Sequence, residues 1–205
     1  MSDADVDVLI GEPLALDLVN TRPEAQGGGR ADLIATPEHL AAWLDSQSER
    51  LSDDLRDDLR DGAAATPADL AALHSVRAHI EAVVGALLGG AVPAPADLRA
   101  LTDAQRKAPA VRELGWDGAS VTAVARRAGP LGARLAAHFA ESAAELLTGP
   151  GVARLKECEA HDCVLVFLPA HPRRRWCSAA RCGNRVRVAR YYQRHSGGAG
   201  SGQKP

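Results

Sequence analysis

The sequence predicts a mainly α-helical protein with a multihelical body, one small β-hairpin and a separate C-terminal module that holds all the cysteines. Three observations predict it. Aromatic residues make up 3% of a chain that is 46% hydrophobic, so the core must be built from Ala, Leu and Val, and Ala and Leu are the strongest helix formers. Thr-Pro pairs at 36–37 and 66–67 each precede apolar residues at helical spacing. Cys158, Cys163, Cys177 and Cys182 are the only cysteines, and they stand close together near the end of the chain. A length of 205 residues suffices for one sizeable core and a small appendage. The expected division is a helical body over 1–151, a cysteine module over 152–195 and a disordered Gly/Ser-rich tail over 196–205.

The elements follow in order. Met1 to Asp7 is acidic and has no apolar stretch, unlike a signal peptide, and no run approaches the 18 apolar residues of a membrane span. A cytoplasmic protein without a membrane partner is expected. Ile10 to Asn20 is a short apolar run that suits a strand or a first helical turn. Arg22 to Arg30 is a loop, and its triple glycine lacks the Gly-Lys-Ser/Thr ending of a phosphate loop. Thr36 caps a helix with Pro37 in its first turn and Trp43 in its core stripe. Leu51 to Arg60 repeats Asp-Asp-Leu-Arg and reads as a mostly solvated helical face. Thr66 caps a helix running to Leu88, with an apolar stripe of Leu70, Leu73, Val76, Ile80, Val83, Val84 and Leu87. His74 and His79, five apart, share no face and read as structural. A short helix over Ala96–Arg106 precedes Arg112–Ala125, which alternates around Asp117-Gly118 as a hairpin does. A third clear helix spans Leu131–Leu147 and stops at Gly149-Pro150.

The cysteines are spaced C-x4-C-x13-C-x4-C. Two close pairs with a short spacer can present four thiolates to one tetrahedral Zn²⁺, and in a reducing cytosol such a set reads as metal rather than disulfide. Four thiolates leave no open position for water, so the zinc is expected to be structural. His161 is a weaker substitute ligand. Val164 to Leu168 suits the first arm of a hairpin, Pro169 to Pro172 its turn, and Arg173 to Trp176 its return. Ser178 then caps a helix carrying Cys182 and Asn184 and running to about His195. A knuckle, a hairpin and a helix form a treble-clef or zinc-ribbon-like finger.

Charge is divided unevenly. Residues 1–151 hold 13 Lys and Arg against 23 Asp and Glu, a net of −10, whereas residues 152–205 hold 11 against 3, a net of +8. Four thiolates and one Zn²⁺ reduce the second figure to about +6. Such asymmetry points to an anionic partner for the basic half. At 100° per residue Arg187, Arg190 and Arg194 share one side of the last helix, with Arg181 and Arg185 on another and Arg173, Arg174 and Arg175 on the preceding arm. These eight arginines are the candidate nucleic-acid contacts, suited to phosphate and to bidentate guanine recognition.

Cys182-Gly183-Asn184-Arg185 within R-W-C-S-x-x-x-C-G-N-R resembles the CGNR zinc-finger family of bacterial proteins. Leu16-Asp17-Leu18-Val19-Asn20-Thr21 is similar to the L-D-F-x-N-T signature of the helical ABATE domain attached to those fingers, with Leu18 where Phe is frequent. Thr36-Pro37-Glu38 with Trp43-Leu44, and Arg154 to Cys158, fit as well, so the resemblance covers roughly residues 10–195. Pro169-Ala170-His171-Pro172 departs from the polar turn of the family and leaves the cysteines untouched. The resemblance implies a stress-induced transcription regulator whose finger binds DNA.

Within that frame Asn184 is expected to support the zinc-bound sulfurs from outside the ligand shell, and Trp176 to plug the finger against the body. Asp17, Asn20, Thr21 and Arg22, beside the glycine loop, are the candidate pocket for a small-molecule effector. No nucleophile–base pair, carboxylate dyad or open metal site stands out, so no catalytic residue is named and no enzyme is expected. RNA, with Tyr191 and Tyr192 as stacking platforms, or an acidic protein are the alternative partners. One finger offers little contact area, so sequence-specific DNA binding calls for a homodimer.

Overall fold

The computed structural model describes residues 11–24 and 29–196. Ile10, Gly27, Gly28 and the tail after Ser196 lie outside the described residues, and with them the glycine-loop and tail expectations. The helical elements are α1 (Leu14–Val19), α2 (Pro37–Ser46), α3 (Asp53–Arg60), α4 (Pro67–Leu88), α5 (Pro95–Lys107), α6 (Leu131–Thr148) and α7 (Asn184–Ser196). The strands are β1 (Ala110–Trp116) and β2 (Val121–Arg127), then β3 (Lys156–Glu157) and β4 (Val166–Phe167). The mainly helical architecture and the β1–β2 hairpin are as the sequence predicts, while the second small antiparallel pair, β3 with β4, is not the finger hairpin expected.

Two capped helices organise the body. The Thr36 hydroxyl accepts from His39 N at 3.2 Å and starts α2. Thr66 and Asp69 form a reciprocal capping box at the start of α4, in which Thr66 Oγ1 accepts from Asp69 N and Asp69 Oδ2 accepts from Thr66 N. Asp69 also accepts from Gly132 N at 2.6 Å, so one carboxylate caps both α4 and α6, which has no cap of its own. That approach needs a glycine, because a Cβ on Gly132 would lie 2.7 Å from Asp69 Cα.

Helix α4 is long and apolar enough, by length and composition, to cross a membrane. It packs against α5, α6 and α1 and buries Leu73, Val76, Ile80, Val83 and Val84, which makes it the central helix of the body. Leu87, assigned to the same stripe, is 38% exposed because the stripe rotates out of the core in the last turn. Trp43 lies in the core with its ring 5.4 Å from that of Phe139. His74 bonds the Ile34 carbonyl and His79 the Asp97 carboxylate, so both are structural.

The repeated acidic pairs of α3 are not all solvated. Asp54 is buried and accepts from Arg127 N at 3.1 Å, anchoring the root of the β1–β2 hairpin. The Arg127 guanidinium reaches the Ala108 carbonyl and Glu141. Beyond that root the hairpin projects. Every residue of β1 is exposed, including Leu114 at 76% and Trp116 at 66%.

Candidate metal centre and nucleic-acid interface

The finger begins where the body ends. Strands β3 and β4 pair antiparallel, Lys156 with Phe167 and Glu157 with Val166, and Cys158 N donates to Leu165 O to extend the ladder. The expected hairpin across Pro169–Pro172 does not form. Its two prolines remove two ladder donors, and β4 pairs backwards, with β3 across the first cysteine pair. The Arg173–Trp176 arm is held instead by Glu159 N donating to Arg175 O at 3.0 Å.

The first knuckle closes through Cys163 N donating to Ala160 O. In the second, Ser178 accepts from Arg181 N and caps a π-helical turn, Ala179–Gly183, that carries Cys182 into the centre; α7 starts only after it. All four Sγ atoms lie within 4.8 Å of one another, with Cys163–Cys177 at 3.8 Å and Cys177–Cys182 at 3.5 Å. A tetrahedral Zn²⁺ with bonds of about 2.3 Å sets its sulfurs about 3.8 Å apart, so the donor set fits the ion. Cys177 N points at Cys158 Sγ, 3.3 Å away, and Arg185 Nη2 lies 3.8 Å from Cys182 Sγ, so two donors face the sulfur charge.

The acid–base state of the quartet agrees with a need for a cation. A hydrogen bond from the Cys177 thiol draws Cys163 down to about 5. The same hydrogen bond, with burial, pushes Cys177 far above its ordinary range, and burial lifts Cys182 to about 11. One thiolate forms readily and the next are resisted; a dication removes that resistance. His161 stands out in solvent, 99% exposed and paired with Asp162, away from the cluster.

The eight arginines separate by environment. Arg174 turns inward: it lies 4.4 Å over the Phe167 ring, pairs with Glu12 at 2.6 Å and donates to the Trp176 and Cys177 carbonyls. Its guanidinium is therefore engaged in contacts within the protein. Burial of Glu12 requires a cation, and Arg174 supplies it. Arg175 pairs with Glu159 at 2.5 Å. Arg185 reaches the Asp162 carbonyl and Cys182. Arg187 bonds Gly183 O and Asn184 Oδ1 on its own helix, while Arg181 is half-buried beside the π turn. Arg173, Arg190 and Arg194 are exposed and have no ion-pair partner among the described residues.

Two supporting roles change hands. Asn184 is exposed and accepts from Arg187, so no contact with sulfur involves it; Arg185 makes that contact. Trp176 packs inside the finger, where its ring edge lies 3.5 Å from the position of a Cβ on Gly183, and Arg175 stands 5.8 Å from its ring. Body and finger are joined by Leu155, Val166 and Leu168, which pack with the body core, and by polar groups.

Of the residues expected to line a pocket, Asn20 is one of these links, and Asp17, Thr21 and Arg22 find their partners within the body. Asn20 is buried; its side chain donates to Val166 O at 2.8 Å and accepts from Val166 N at 2.9 Å, completing the free edge of β4. Thr21 donates to Leu18 O and accepts from Arg77. Arg22 pairs with Glu81. Asp17 accepts from Gly11 N, Glu12 N and Arg50, although burial still pushes its carboxyl above the usual range. Asp17, Asn20 and Thr21 spend polar atoms on internal hydrogen bonds, whereas Arg22 lines a small cavity with Arg30 and Glu81. Glu12 escaped the sequence reading, yet it accepts from both Leu168 N and Arg174; an acidic residue just before an apolar run was the only signal.

A helical body joined to a four-cysteine finger defines a two-part zinc-finger protein. The family model ABATE, described as "putative stress-induced transcription regulator", matches residues 12–150, and the CGNR zinc finger model matches residues 154–195. The chain belongs to the ABATE family and carries a CGNR zinc finger. With four cysteines drawn together, Zn²⁺ is its structural cofactor. Both families are regulatory or zinc-finger families and neither is catalytic. No curated protein matches the chain.

Proposed function

We propose that this chain is a DNA-binding transcription regulator, in which residues 1–151 sense an effector or dimerise and the finger over 152–195 contacts duplex DNA through α7. The observation that carries this reading is the exposure of α7. It packs mainly on its own π turn, every side chain from Arg187 to His195 is exposed, and Arg190 and Arg194 form no salt bridge among the described residues, although Arg190 lies near enough to Glu159 for their charges to interact. A polar, cationic helix standing clear of its own protein suits a groove lined with phosphates. Arg173 on the neighbouring arm adds to the same charge.

The test is fluorescence anisotropy of the zinc-loaded protein on random duplex DNA, duplex RNA and single strands across a salt series. Duplex DNA binding that weakens steeply with salt is expected, with Arg190→Glu/Arg194→Glu losing at least about tenfold in affinity and flattening the salt slope by roughly two contacts' worth. Undiminished binding in that double variant rejects α7 as the contact surface. Val188 and Tyr192, exposed on the same helix, favour an acidic protein partner as the second reading, which predicts no retention on any nucleic acid. RNA stacking by Tyr191 is less favoured, because its ring already stacks on His195 at 4.0 Å. The homodimer that a single finger needs for specific sites would use the projecting apolar β1–β2 hairpin.

A further inference from the structure

A cleft of about 500 Å³ lies where the body meets the finger, between the start of α1, the last turn of α6 and the end of β4. Its apolar walls are Pro13, Leu14, Leu146, Pro150 and Leu168. Two oppositely charged side chains line it, Arg154 and Glu145, and neither has a hydrogen-bond or ion-pair partner among the described residues. The other guanidinium in the wall, Arg50, is committed to Asp17, Gln47 and the Glu12 carbonyl, and the Ser142 hydroxyl accepts from Ala15 N. Gly151 keeps the floor open: a Cβ there would lie 3.2 Å from Leu168 Cδ2 and 3.4 Å from Arg154 Nη2. The carbonyl ends of α6 reach the cleft through Leu146 and Gly149, and a helix C-terminus favours a cation beside Glu145.

Unspent charges of both signs over an apolar floor are complementary to a molecule that carries both charges on an apolar frame. Arg154 and Glu145 are solvent-exposed, so a ligand carrying both charges can pair with both, whereas a neutral apolar ligand gains from neither and a simple anion faces Glu145. The cavity between α4, α5 and α6, about 430 Å³, makes a weaker case because its His79 and Asp103 are already paired with Asp97 and Arg106.

We infer that this cleft binds a small amphipathic zwitterion, an apolar amino acid or short apolar peptide, with its carboxylate on Arg154 and its ammonium on Glu145. This inference names the effector class for the proposed sensor and rests on that reading. Leu168 couples the site to the finger, since its side chain lines the cleft while its amide donates to Glu12, the partner of Arg174. Arg154 sits two residues before β3 on the only chain connection between body and finger. Occupancy therefore bears on both ends of the finger's attachment.

The experiment is calorimetric titration of the full-length, zinc-loaded protein, without DNA, using L-leucine and leucyl-leucine. Two truncated probes accompany them: 4-methylpentanoate, which lacks the ammonium, and 3-methylbutylamine, which lacks the carboxylate. One zwitterion is expected to bind with Kd below about 1 mM and both truncated probes at least about tenfold more weakly; which zwitterion binds tells a free amino acid from a peptide end. Arg154→Gln should erase the preference for the carboxylate and Glu145→Gln that for the ammonium, as a double-mutant cycle requires. Gly151→Val should fill the floor and remove binding, with zinc content unchanged in all three variants. Equal affinity for charged and truncated probes, insensitivity to Arg154→Gln and Glu145→Gln, or no binding at 20 mM of either zwitterion (about 20 times the expected Kd limit) overturns the inference. Because DNA is absent, failure here leaves the DNA-binding reading standing, and failure on DNA leaves this result standing.

Discussion

Single side chains join the two parts of this molecule. Asn20 satisfies both backbone groups of Val166 on an otherwise unpaired strand edge. Asn20→Ala leaves both unsatisfied and should cost about 2–6 kcal/mol in urea unfolding, since each buried unpaired group costs about 1–3 kcal/mol. Asn20→Asp keeps the acceptor but turns the donor into a second acceptor facing Val166 O, and should be at least as damaging. His138 offers a pH test. Its Nε2 is buried without a partner, and burial, followed by the charge of Arg127, holds the imidazole below its ordinary range. The unfolded chain takes up a proton near about pH 6.5 that the folded chain resists. The stability this contributes is present above that pH and lost as pH falls below it. Between pH 8 and 5 the urea midpoint of the wild type should fall relative to that of His138→Leu. Such residue-level roles were the least legible in the sequence. Asn20 and Asp17 stood out there as polar residues in an apolar run, but nothing local distinguishes a side chain that lines a pocket from one that bonds a strand 146 residues away.

Elements were legible wherever their signals are local. The Thr-Pro starts of α2 and α4, the Asp117 turn and the Gly149 stop all act within one or two turns of chain, and each stands where the sequence places it. The misread elements depend on distant partners. Val164–Leu168 was expected to pair forwards but pairs with β3, and Asp54 was expected in water but anchors Arg127. Two predictions belong at this scale. Gly132→Ala forces Asp69 away from the start of α6 and should cost about 1–3 kcal/mol, the usual penalty of overpacking, measured as a lowered urea midpoint. The finger should release one equivalent of zinc to a colorimetric chelator on acidification. Metal binding needs the thiolates, and Cys177 and Cys182 resist deprotonation, so proton competition for them grows as pH falls. Zinc retention that does not change between pH 8 and 5 would contradict this. Of the metal site, the cysteine spacing revealed the four donors; the π-helical turn that aims Cys182, and Arg185 beside its sulfur, were hidden because they depend on the folded knuckle.

On the scale of the whole molecule, body and finger stabilise each other through Glu12, Asn20 and Arg174. Chelating the zinc should therefore lower the melting temperature of the helical body as well as unfold the finger, by roughly 2–4 °C for each kcal/mol of lost docking. In Asn20→Ala the effect of chelation on the body should shrink, and circular dichroism melts with and without chelator would show it. A body that melts identically in both states would mean the two parts are thermodynamically independent. The same docking imposes an order on biosynthesis. Asn20 emerges early, and its partner Val166 follows 146 residues later. At about 5–20 residues per second that delay is roughly 7 to 30 s. Throughout it the nascent body carries Asn20 and Glu12 without their finger partners in a half-built apolar seam. The finger, translated after the body, is thus the part that closes it, and a ribosome stalled before Arg174 would hold a body that is helical but unsealed.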